Sequence, residues 1–200
     1  MSESAHAATS KLALPAIEQT STGMPNGRLG MWWFLASEIA VFGGMICIYV
    51  LFRLSHPDFG DAASHTLMPL GALNTFILLT SSLTVVLAHA AAEERDRARV
   101  LRFEAFTILL GLGFLCVKGF EYTHEIHQGF TPKAGLFWGF YFVMTGLHGL
   151  HVIAGMIAHA WACYGVASAQ RFSRIAPVGL YWHFVDVVWI FLFPLLYIAS

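Results

Sequence analysis

The sequence predicts an all-α integral membrane protein, a bundle of five transmembrane helices. Three observations carry that prediction. Of the 200 residues, 57% are hydrophobic and only 12% are charged, the balance of a membrane chain and not of a soluble domain of this size. The apolar residues gather into five stretches, about 29–52, 69–92, 103–126, 136–164 and 177–199, each at or above the roughly 20 residues that cross a bilayer as a helix. The basic residues then partition by side. Five crossings put the termini on opposite faces. Lys11, Arg28, Arg95, Arg97, Arg99, Arg102, Arg171 and Arg174 fall with the N-terminus, against Arg53 and Lys133 opposite. This asymmetry places the N-terminus in the cytoplasm and the C-terminus outside. The net charge of −1 gives no electrostatic reason to bind nucleic acid.

Residues 1–28 are polar and carry Pro15, Gly23, Pro25 and Gly27. They read as an N-terminal tail without the apolar core of a secretory signal, and residues 29–200 form the transmembrane domain. The first span opens with Trp32 and Trp33, aromatics suited to the membrane interface. Glu38 lies ten residues into it, about 15 Å along a helix axis. The second span contains Asn74, Thr75, Thr80, Ser81, Ser82 and Thr84, residues that let membrane helices approach and hydrogen-bond. The charged stretch 93–102 follows as a loop too polar for hydrocarbon. Its Arg95, Arg97, Arg99 and Arg102 can meet lipid headgroups, or pair with Glu93, Glu94 and Asp96.

The third span holds Lys118 and Glu121, three apart and so able to form an ion pair in the outer half of the membrane. Its end, His124-Glu125-Ile126-His127, misses the zinc-protease spacing of two His four apart. The fourth span centres on His148 and His151, which share a helical face. The fifth carries His183 and Asp186 inside an otherwise apolar run. Cys47, Cys116 and Cys163 are far apart and form no C-x-x-C pair, so they read as small, buried apolar side chains.

Ionisable residues at membrane depth are costly, at about 2.5–3.5 kcal/mol on insertion scales, and face protein or water. With the orientation above, Glu38, His151, His183 and Asp186, joined by His148, fall within one layer and are expected to form a buried polar network. From spacing alone it fits a structural network that fixes helix register, a haem or metal site with His148 opposite His183 or His89, or a proton-handling site. Hydrolysis is disfavoured: no Gly-x-Ser-x-Gly elbow is present.

Several stretches resemble one family. Tyr181-Trp-His-Phe-Val-Asp-Val-Val-Trp189 and Thr145-Gly-Leu-His-Gly-Leu-His-Val-Ile153 are similar to the two signatures of cytochrome c oxidase subunit III. Ala36-Ser-Glu38, Leu73-Asn-Thr75 and Phe120-Glu-Tyr122 fall in that family's order. The resemblance covers about residues 29–199 and corresponds to a short five-helix form found among bacterial oxidases, without the first two helices of the seven-helix form. It implies a non-redox core subunit of a proton-pumping haem–copper terminal oxidase, which reduces O₂ to water in aerobic respiration. The implied partners are oxidase subunits I and II, which carry the haem and copper, and phospholipid. The implied location is the bacterial cytoplasmic membrane. No catalytic, cofactor or metal residue is implied in this chain. Within the same resemblance, subunit III of a ubiquinol oxidase or an accessory subunit of nitric oxide reductase also fits. A stand-alone b-type cytochrome or small transporter is the alternative of a different class.

Overall fold

The computed structural model describes residues 26–56, 59, 63, 65–169 and 171–198. Five long helices account for most of them: α1 (Asn26–Ser55), α2 (Met68–Glu93), α3 (Arg97–His127), α4 (Leu136–Ala169) and α5 (Ile175–Phe193). A single 3₁₀ turn, Phe172–Arg174, leads into α5, and a π-helical turn, Pro194–Ile198, ends it. All five are long and apolar enough to cross a membrane, so the chain is a multi-pass membrane protein.

The helices outrun the apolar stretches that announced them. The stretch expected to be a loop at 93–102 is helical except for Glu94–Asp96. Arg95 takes the left-handed conformation, φ 56°, which lets the chain reverse in three residues. The Asp96 side chain then caps α3 by accepting from the Arg99 backbone N–H at 3.0 Å. Arg, Ala and Leu are good helix formers, so α3 starts well before the hydrocarbon does. α4 also runs past the expected end, to Ala169 and not to 164. The polar tail read over residues 1–28 lies outside the described residues up to residue 25, and Asn26 already begins α1.

The chain divides into two compact units, Met1–Ser37 and Glu38–Ser200. The described part of the first is the opening of α1, where Trp32 and Trp33 are exposed and the Ser37 hydroxyl bonds the Phe34 carbonyl at 2.7 Å. In the second unit, α2 to α5 pack around a shared interior. The buried positions of α3 are Val100, Glu104, Thr107, Gly111, Phe114, Lys118, Glu121 and Glu125. They are spaced alternately four and three, the 3.5-residue period of left-handed coiled-coil packing. On α5 the same period runs through Ile175, Val178, Trp182, Val185, Trp189 and Leu192, and α2 and α4 repeat it. Every interior charge discussed below on these helices lies on such a seam or beside it.

One indole ties the four helices together. Trp182 of α5 is fully buried. Its Nε1 donates to Ser81 Oγ of α2 at 2.9 Å, and its ring meets His159 of α4 edge-on at 5.0 Å. The ring fits because Gly155 of α4 and Gly111 of α3 lack side chains. A Cβ on Gly155 would stand 2.7 Å from Trp182 Cε3, and one on Gly111 would stand 3.0 Å from Cη2. Small residues at a membrane helix contact work this way, by letting backbones close. Because Trp182 is held by Ser81, it cannot swing aside. Gly155→Ala is expected to cost about 1–3 kcal/mol through overpacking, read as an earlier unfolding midpoint in detergent; an unchanged midpoint would contradict this placement of the ring.

From Glu38 onward, α1 reaches its neighbours through long side chains. Phe42 meets His151 and Phe184 edge-on, and Tyr49 packs on Phe59 and Phe140. At the far end, Pro194 cannot donate a backbone N–H, and the following Leu195 carbonyl accepts from Tyr49 Oη at 2.9 Å and Arg53 at 3.3 Å. Cys47 and Cys116 are exposed on α1 and α3, which corrects their reading as buried. On a membrane helix the outer surface is itself apolar, so a small apolar side chain has no reason to turn inward.

Candidate functional site

The five residues expected to form one polar network separate into distinct environments. Glu38 of α1 and His151 of α4 pair, Oε2 to Nε2 at 3.0 Å. The other ring nitrogen of His151, Nδ1, faces the Leu147 carbonyl at 2.8 Å. A carbonyl only accepts, so Nδ1 carries a hydrogen. The Nε2–Oε2 contact therefore rests on a single shared proton, an imidazolium with a carboxylate or an imidazole with a carboxylic acid. Both side chains are mostly but not fully covered, 18% and 15% exposed. Tyr181 Oη further fixes this turn by donating to the His151 carbonyl at 3.1 Å.

His183 pairs instead with α2, its Nδ1 lying 2.8 Å from Ser82 Oγ. Asp186, one turn on, is buried. Neither carboxyl oxygen has a hydrogen-bond partner among the described residues, although Ser82 is close enough to interact. The tryptophans on either side donate to α2 hydroxyls, Trp182 to Ser81 and Trp189 to Thr75 at 3.0 Å. His148 is fully buried between Phe114 and Trp189, ring centroids 5.5 and 5.1 Å away, with neither nitrogen hydrogen-bonded among the described residues. A single layer joining all five is therefore not what forms. Depth along the membrane normal placed them together, but rotation about each helix axis separates them.

Lys118 and Glu121 do pair, Nζ to Oε2 at 3.0 Å, in the interior of the bundle. The ammonium also donates to Tyr141 Oη at 3.1 Å and Tyr197 Oη at 2.6 Å. Four rings, those of Tyr122, Tyr141, Trp189 and Tyr197, stand 4.8 to 5.5 Å from it, within cation–π range. Tyr141 Oη donates in turn to Glu121 Oε1 at 2.9 Å.

A second interior pair escaped the sequence reading. Glu104 of α3 and His159 of α4 hydrogen-bond through Oε2 and Nδ1, and both side chains are 0% exposed. Glu104 is the second residue of the third apolar stretch and carries no role in the sequence reading. Its signal was the four–three seam it shares with Thr107, Gly111 and Phe114. Among the described residues no three His, Cys, Asp or Glu converge as a metal set. His124 of the near-miss zinc motif is engaged with Gln128 at 2.8 Å.

At the α2–α3 turn, Arg99 pairs with Glu94, and Arg102 Nε reaches the Ala98 carbonyl at 3.4 Å. Arg95 and Arg97 are exposed.

The profile of the family described as cytochrome c oxidase subunit III matches residues 18–200, through all five helices. The chain belongs to the cytochrome c oxidase subunit III family. Its relatives include the cytochrome bo(3) ubiquinol oxidase subunit 3 of Pseudomonas putida, 34% identical over 179 residues that cover 86% of this chain and 85% of that one. The cytochrome c oxidase subunit 3 of Thermostichus vulcanus is 33% identical over 177 residues, 86% and 87% of the two chains. A probable quinol oxidase subunit 3 of Staphylococcus aureus (strain USA300) is 33% identical over 183 residues, 86% and 89%. This subunit III is thus a component of an oxidase complex, and its polar interior is that of an oxidase subunit.

Proposed function

We propose that this chain is the non-redox core subunit of a proton-pumping haem–copper terminal oxidase of a bacterial cytoplasmic membrane, which reduces O₂ to water. The family match over the whole helical domain carries this reading. Haem and copper belong to partner subunits I and II, and this chain supplies no catalytic group. Its own work is to pack against the catalytic subunit, hold phospholipid, and sustain proton uptake and turnover stability. Two features support that division of labour. The interior ionisable groups Lys118, Glu121, Glu104 and His159 are spent on one another. The Glu38–His151 pair is less covered and shares one movable proton, so it is the group best placed to influence proton uptake nearby.

The test is purification of the tagged chain in mild detergent. It should bring larger subunits, haem absorption and oxygen consumption with it. A chain that elutes alone with its own Soret band would be a stand-alone cytochrome, and a colourless chain alone would fit a transporter. A second reading, subunit III of a ubiquinol oxidase, is favoured by the relatives that bear quinol oxidase names. Oxygen consumption with ubiquinol against reduced cytochrome c decides between the donors.

Orientation follows from the eight-to-two division of basic residues. A reporter active only outside the cytoplasm, fused after Ser200, is expected to be active; silence in a correctly inserted fusion would reverse the topology. Anionic lipid at the cytoplasmic face gains about 1 kcal/mol per basic residue. Since Arg99 is committed to Glu94, replacing Arg95 and Arg97 by Gln should lower co-purified anionic lipid, and Arg99→Gln should not. Equal lipid in all three preparations would leave the turn as a solvated loop.

A further inference from the structure

The Lys118 cage contains one ammonium and two carboxyls. An ammonium has three hydrogens to donate, and those of Lys118 go to Glu121, Tyr141 and Tyr197. Glu121 uses both oxygens, Oε2 for Lys118 and Oε1 for Tyr141. It is therefore the counter-ion. Glu125, one turn further along α3, is 0% exposed, and neither of its oxygens has a hydrogen-bond partner within bonding geometry among the described residues, Tyr141 being the nearby hydroxyl.

The titratable groups that interact with it are Lys118, Glu121 and Tyr122 on α3, Tyr141 on α4, and Tyr197 on the C-terminal turn. Lys118 is the cation among them, and Glu121 already neutralises it. A second carboxylate here would lie buried, unpaired and beside a like charge, and a buried unpaired charge is among the costliest states in a protein.

We propose that Glu125 is a proton-binding site, its carboxyl holding one exchangeable proton at the end of the bundle that carries the C-terminal turn. Loading adds a proton from hydronium to a carboxylate oxygen and leaves water; nothing is oxidised or reduced. The protonated O–H can donate to Tyr141 Oη, which is near enough to Glu125 to interact. Access is short, because α3 ends at His127 and the Phe130 N–H bonds the Glu125 carbonyl at 3.0 Å. Loss of the proton would set Glu125 against Glu121 for Lys118, the residue that holds Tyr197. The site thereby couples proton occupancy to the seating of the C-terminal turn.

The test is infrared difference spectroscopy on the purified full chain with whatever subunits accompany it, wild type against Glu125→Gln at neutral pH, in water and in D₂O. It does not depend on the oxidase reading, because the band belongs to this chain. A carboxylic-acid C=O band present in the wild type, shifted in D₂O and missing from Glu125→Gln is the expected result. Gln reproduces the neutral acid in shape and hydrogen bonding, so Glu125→Gln should accumulate like wild type. Glu121→Gln, which strips Lys118 of its counter-ion, should accumulate several-fold less. Loss of ionised-carboxylate bands in place of the acid band would overturn the proposal. So would failure of Glu125→Gln to accumulate, or equal behaviour of the two variants.

Discussion

Replacing His159 by Leu is expected to lower the unfolding midpoint of the detergent-solubilised protein by roughly 6–20 °C. That range is a loss of about 3–5 kcal/mol spread over a chain of this length, where 1 kcal/mol shifts Tm by about 2–4 °C. The cause is the partner left behind. Glu104 is 0% exposed, and its hydrogen-bonded oxygen points at His159. At that burial the carboxyl has no exposed surface through which an outside group could replace the imidazole. Glu104→Met should cost a similar amount for the reciprocal reason. The double variant should recover most of the loss, because two apolar side chains leave no buried charge and no orphaned donor. Circular dichroism melts of the four proteins form a thermodynamic cycle. Strictly additive losses would show that the two side chains do not act as a pair.

Lys118→Met is expected to be comparably damaging and to show its damage at the C-terminus. The ammonium holds three elements at once: Glu121 on α3, Tyr141 on α4 and Tyr197 on the terminal turn. Its removal leaves Glu121 buried with one hydroxyl donor, again about 3–5 kcal/mol. It also frees Tyr197, so a protease acting on the C-terminal side should cut Pro194–Ile198 sooner than in wild type. Glu121→Gln added to Lys118→Met should restore much of the melting midpoint, because it removes the stranded charge, but not the protease resistance. If the double variant melts no higher than Lys118→Met, the ammonium is not the partner of Glu121 in the assembled protein.

How far the sequence could be read follows from what a membrane hides. The five spans were legible because hydrocarbon demands long apolar runs. Which face of each span turns inward was not, because lipid is as apolar as a protein interior and the outer face carries no polar mark. The seam on α3 is instead where Glu104, Thr107, Gly111, Lys118, Glu121 and Glu125 lie. Polar and small residues, not apolar ones, mark the interior. Read with a four–three ruler, they would have exposed the Glu104–His159 pair. The neighbours of Glu38 were legible only in part: no basic residue on α1 answers it, and His151 arrives from 113 residues away. The hydroxyls of α2 were read as hydrogen-bonding packing residues, and Ser81, Ser82 and Thr75 do bond across to α5. The start of α3 was hidden because charged residues that form helices well, Arg97 to Arg102, extend it ahead of the apolar run, and the end of α4 because residues 165–169 continue it past the last strongly apolar residues.

The wide sequence separation of the contacts of α1 has a consequence for synthesis. From Glu38 onward, its fastenings reach His151, Phe184 and Leu195. A ribosome adds about 5–20 residues per second, so roughly 7–30 s pass between the making of Tyr49 and of Leu195. For that interval α1 sits in the bilayer with Arg53 without its carbonyl, and for the part of it before His151 is made Glu38 is unanswered. The first helix inserted is therefore the last to be locked, and the newborn chain depends on the membrane or an insertion factor to shelter one acidic side chain until α4 arrives.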